Sequence, residues 1–146
     1  MQRNRLFVSG VFIVLALFVI IHFLLNTEIK VEFETYFKPE YYLKFSAILI
    51  AFTLLNAGIL LLKGLPKANL MLAIFGYMLV LEILFDLIGI TLPNISTIAT
   101  VVLLIAAIPA LWIAHSNLFD TQKLSYKGLV ISLLIGAVES LIPVWL

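Results

Sequence analysis

Residues 70–92 read LMLAIFGYMLVLEILFDLIGITL, and this stretch decides the fold. It is apolar throughout except for two acidic side chains, Glu82 and Asp86, and it contains no lysine or arginine. A helix that crosses the hydrocarbon core of a bilayer needs about 20 mainly apolar residues. The stretch therefore predicts a transmembrane helix that carries two carboxyl groups inside the membrane.

Segments of the same kind lie on both sides of it. We predict five transmembrane helices, at residues 6–25, 45–62, 70–92, 95–114 and 129–146. The last has only 18 residues and contains Glu139 and Pro143, so a re-entrant or interfacial helix is the alternative for that segment.

Composition agrees with this assignment. Of the 146 residues, 64% are hydrophobic and 12% are charged, and the mean hydropathy is +1.20. Soluble domains average about 45–50% apolar and about 25% charged residues. The predicted fold class is an all-α, polytopic transmembrane helical bundle, formed by residues 1–146 as a single integral membrane domain.

The basic residues predict the orientation. With a cytoplasmic N-terminus, six basic residues face the cytoplasm and three face outward. The inner group is Arg3, Arg5, Lys63, Lys67, Lys123 and Lys127, and the outer group is Lys30, Lys38 and Lys44. Short loops rich in lysine and arginine remain on the cytoplasmic side. We predict a multi-pass protein of the cell (plasma or inner) membrane, with its C-terminus outside, an outer loop at 26–44 and an inner loop at 115–128.

The intramembrane acids are the main functional candidates. Glu82 and Asp86 are four residues apart and share one face of the third helix. Glu139 is predicted at a similar depth on the fifth helix, and Asn56 on the second helix lies nearer the cytoplasm. Because a charge at bilayer depth costs at least about 2.5 kcal/mol, ionisable residues there usually mark ion or proton pathways. The alternative is a protonated carboxyl that holds helices together.

Small residues recur at four-residue spacing on two helices. Such stripes allow two helices to approach closely, either within one chain or between copies. They are Ser132, Gly136 and Ser140 on the fifth helix and Ala106, Ala110 and Ala114 on the fourth.

The outer loop contains the strongest non-helical pattern. Apolar residues at 29, 31, 33 and 37 alternate with charged or polar ones, which is a period of two. Ile29, Val31, Phe33 and Phe37 are therefore candidates for a strand that binds a partner protein. An irregular loop on the bilayer surface and an interfacial helix are the alternatives.

Several function classes find no support. The chain has no cysteine and no phosphate-binding, nucleophile-elbow or zinc-protease motif. His22 and His115 fall at opposite membrane faces, which prevents them from sharing a metal or haem. A net charge of +1 provides no strong positive field that would attract nucleic acid. We expect no catalytic site, no metal and no cofactor.

Two functions remain. The first is an oligomeric channel or transporter-type component in which the carboxylates conduct protons or cations. The alternative is a non-catalytic accessory or scaffold subunit of a larger membrane complex. The expected partners are the lipid bilayer together with further copies of the chain or other membrane subunits.

Overall fold

The computed structural model describes residues 2–28, 34, 45–90 and 95–145. Within these ranges the chain forms five α-helices. Their bounds are α1 Gln2–Asn26, α2 Ser46–Lys63, α3 Ala68–Leu87, α4 Thr97–Ser116 and α5 Tyr126–Trp145.

By length and composition, α1, α2, α3 and α4 can each cross a membrane. Their exposed surfaces are also apolar, as at Phe7, Phe52 and Ile108. Large apolar side chains on the outside of a helical bundle are typical of surfaces that contact lipid. The prediction of an all-helical fold is confirmed for the described residues, and four of the five helices are long and apolar enough to span a membrane.

Helix α3 occupies the centre of the bundle, where it packs against α2, α4 and α5, while α1 packs mainly against α2. Apolar side chains on several faces of α3 are buried, including those of Leu72, Phe75 and Leu79. Helix α5 rests chiefly on α3, and its opposite face is exposed through Leu134 and Val138.

The predicted end of the third helix was wrong. We expected helix up to residue 92, but α3 ends at Leu87 because Gly89 adopts a left-handed conformation with φ of 73°. The Ile90 amide then donates to the Phe85 carbonyl at 2.9 Å, a Schellman ending for which glycine is the usual residue. Glu82 consequently lies about 7.5 Å from the end of its helix, closer than the sequence count implied.

Other helix ends have ordinary capping signals. Ser96 caps α4 by accepting a hydrogen bond from the Ala99 amide, and the Ser125 hydroxyl accepts from the Gly128 amide at the start of α5. At the N-terminus, α1 begins one turn earlier than predicted, at Gln2.

The alternating outer-loop residues Ile29, Val31, Phe33 and Phe37 lie outside the described residues, so the partner-strand hypothesis stays a prediction.

The basic residues of the described helices and turns collect at one end of the bundle. We call this end, marked by Arg3, Arg5, Lys63, Lys67, Lys123 and Lys127, the basic end. We call the other end of the bundle, where α1 and α3 finish and α2 and α4 begin, the opposite end.

Candidate functional site

Two glutamates from different helices meet on one serine near the opposite end. Ser46 is the first residue of α2, and its hydroxyl oxygen lies 3.1 Å from Glu82 Oε1 on α3 and 3.2 Å from Glu139 Oε1 on α5. We call Ser46, Glu82 and Glu139 the carboxyl triad. The three residues join three helices at one point.

The triad is shielded from the surface of the chain. Glu82 is 4% exposed, and Ser46 and Glu139 are each 8% exposed. The buried Ser140 lies beside both carboxyls, but its hydroxyl makes no hydrogen bond of standard geometry with a described residue. The second oxygen of each glutamate, Oε2, is likewise buried without a hydrogen-bond partner among the described residues.

Helix packing explains why the glutamates come together. Gly136 sits one turn before Glu139 on the face of α5 that touches α3. A methyl group at Gly136 would lie 3.1 Å from the backbone nitrogen of Met78, so the two helices approach nearly backbone to backbone. Ser132 and Ser140 occupy the same buried face. This close approach brings Glu139 alongside Glu82, which lies one turn after Met78.

The two glutamates of the triad would repel each other if both were ionised. Asp86 is half-buried one turn beyond Glu82 and acts on it as a further negative charge when ionised. The described lysines and arginines are all at the basic end, so none of them neutralises this group. Burial of two carboxyls with no lysine or arginine of the described residues beside them favours the retention of protons.

The triad and Ser140 together contain fewer hydrogens to donate than carboxyl oxygens to accept them. The two glutamates offer four carboxyl oxygens, whereas Ser46 and Ser140 supply one hydroxyl hydrogen each. One hydrogen on Ser46 satisfies only one of its two close contacts. A proton on either glutamate lets that carboxyl donate to the Ser46 oxygen while the hydroxyl donates to the other glutamate. With one added proton both close contacts of the Ser46 oxygen become hydrogen bonds, and without it one of the two lacks a hydrogen.

The remaining predicted site residues are dispersed. Asn56 is exposed on α2, about 15 Å along the helix from Ser46, and is not part of the triad. Ala106, Ala110 and Ala114 are buried within the bundle.

Sequence reasoning missed Ser46. It stands at the boundary of the second apolar segment, where a serine ordinarily indicates only the start of a helix. The informative signal was topological, since antiparallel neighbours place the beginning of α2 level with the end of α3.

A small cavity opens at the same end between α1, α2 and α4. Its volume is about 230 Å³, and its polar lining comes from His22, Asn26, Glu28 and Ser96. Ala47, which follows Ser46 in the chain, forms part of its wall. Polar side chains at the end of an otherwise apolar bundle indicate contact with water.

Comparison of the chain with protein-family models, with curated proteins and with solved structures found no match.

Proposed function

We propose that the chain is a multi-pass membrane protein of the transport class in which the carboxyl triad binds a proton. The observation that carries this proposal is the sharing of one Ser46 hydroxyl by two buried glutamates. In this proposal α5 is the fifth membrane crossing, and the basic end faces the cytoplasm.

A proton fits the triad better than a divalent metal ion does. Calcium takes six to eight oxygen ligands and magnesium requires near-ideal octahedral geometry. In the described part of the chain no group of three or more His, Cys, Asp or Glu side chains is arranged to hold a metal ion. Two glutamates bridged by a hydroxyl need only a hydrogen to become complementary.

The position of the triad supports exchange with the extracytoplasmic side. Ser46 begins α2 and Glu82 lies a little over one turn from the end of α3. The polar cavity lined by His22 and Glu28 lies at the same end, and Ala47, the residue after Ser46, forms part of its wall. We infer that protons reach the triad from this end.

The proposal is tested by proton flux into liposomes. The purified protein is reconstituted with an internal pH-sensitive dye, a potassium gradient is set, and valinomycin drives inward proton movement. Wild type should acidify the lumen, whereas Glu82→Gln and Glu139→Gln should fall to the rate of protein-free vesicles. Asp120→Asn is the matched control, because it removes an acidic group at the basic end, and it should retain the wild-type rate.

The alternative is a non-catalytic accessory subunit of a membrane complex. Asn56 favours it, because it is an exposed amide on α2 between the exposed apolar residues Phe52 and Ile59. Amide side chains on membrane helices hydrogen-bond to neighbouring helices. Under this alternative wild type conducts no protons, and Asn56→Leu releases a co-purifying partner or dissociates an oligomer.

A further inference from the structure

A second cavity lies at the basic end, far from the carboxyl triad. Its volume is about 610 Å³, and it separates the first two turns of α1 from the turn that follows α4. Phe7, Val8, Leu118 and Phe119 form its apolar walls, and Arg3 and Asn4 add polar groups. We call it the Phe119 cavity. Its volume is in the range of about 300–1,000 Å³ found for small-molecule sites.

The wall formed by the turn is held in place by two partly buried hydrogen bonds from Asn69. Asn69 on α3 is 1% exposed, and its amide nitrogen donates to Asn117 Oδ1 and to the Gln122 carbonyl, both at 2.7 Å. Asn117 and Asp120 each have φ of 50°, so the chain reverses tightly around Leu118 and Phe119. The cavity is therefore part of the folded structure.

The charge around the cavity is positive. Arg3 lines it directly. The Arg5 guanidinium lies over Gly64, and its buried Nε has no hydrogen-bond partner among the described residues. Among the described residues of the basic end, Asp120 is the acidic one. It lines an adjoining cavity of about 300 Å³ together with Arg5. Among the described residues that line the Phe119 cavity there is a cation, Arg3, and no anion.

We propose that the Phe119 cavity binds an anionic phospholipid, with an acyl chain against the apolar walls and the phosphate on Arg3. Two requirements select this ligand. Apolar walls that meet the membrane surface exclude water and accept a hydrocarbon chain, and an arginine at the cytoplasmic headgroup level attracts a negative phosphate. A zwitterionic lipid satisfies the first requirement and gains less from the second.

The test is lipid titration of the purified full chain in mild detergent, followed by native mass spectrometry. Phosphatidylglycerol is compared with phosphatidylcholine of identical acyl chains. Wild type should bind phosphatidylglycerol about fivefold more tightly, the effect of one basic residue near a membrane surface. Arg3→Gln should remove this preference. Lys127→Gln makes the same charge change at the same end outside the cavity and should preserve it.

The apolar walls are tested separately. Leu118→Trp should weaken binding of both lipids, and Val8→Phe provides a second obstruction from the facing helix. A monodisperse profile and an unchanged melting temperature establish that each variant is folded. The proposal is overturned by equal binding of the two lipids to wild type, or by equal losses in Arg3→Gln and Lys127→Gln. Full competition by glycerophosphate, which has no acyl chain, would also overturn it.

Discussion

Removal of the Ser46 hydroxyl should destabilise the protein more than removal of any comparable buried hydroxyl. In Ser46→Ala both Oε1 atoms, on glutamates that are 4% and 8% exposed, lose their shared partner. A buried acceptor left without a donor costs about 1–3 kcal/mol. Side-chain hydrogen bonds within membranes average about 0.6 kcal/mol, with a maximum near about 1.7. Since a single hydroxyl takes part in both contacts, we expect a loss of about 1–3 kcal/mol.

The assay is reversible unfolding in mixed micelles, which gives the free energy of unfolding. Ser132→Ala is the matched control, because Ser132 is fully buried and its hydroxyl donates at 2.7 Å to the Gly128 carbonyl within α5. That local bond contributes little, so the expected change is below about 0.5 kcal/mol. In a Glu82→Gln/Glu139→Gln background the effect of Ser46→Ala should shrink, since amides hydrogen-bond to each other. Equal losses for Ser46→Ala and Ser132→Ala would refute the reasoning.

Two further predictions concern the packing that positions the site. Gly136→Val should cost about 1–3 kcal/mol of unfolding free energy, because its side chain would press on the Met78 backbone. Gly10→Ala is its control and should not destabilise the protein, since a methyl group there would contact no other helix within 4 Å. Asn69→Leu should loosen the turn from Asn117 and accelerate tryptic cleavage after Lys123, because both 2.7 Å hydrogen bonds are lost. An unaltered digestion rate would contradict this last prediction.

The helices were largely predictable from the sequence, but the end of α3 was not. Long apolar runs determine where a membrane helix can form, since backbone groups in lipid must be satisfied within the helix. The end of α3 depends instead on Gly89 taking a left-handed conformation. A single glycine inside an apolar run does not reveal that choice, because glycine is common in membrane helices.

The acidic residues of the candidate site could be predicted from the sequence, but their arrangement in space could not. Glu82 and Glu139 stand out because carboxyls are costly in an apolar segment. Their convergence depends on the rotation of α5 about its axis, which is determined by the contact of Gly136 with α3. Ser46 could be recognised as part of the site only from the structure, which places the start of α2 beside both glutamates.

The central claim is that the carboxyl triad holds a proton, and infrared difference spectroscopy of the purified protein measures this directly. Wild type should show the carbonyl stretch of a protonated, hydrogen-bonded carboxyl that shifts in Ser46→Ala and disappears in Glu82→Gln/Glu139→Gln. A wild-type spectrum with ionised carboxylate bands alone, or a protonated band that persists in the double glutamine variant, would contradict the account.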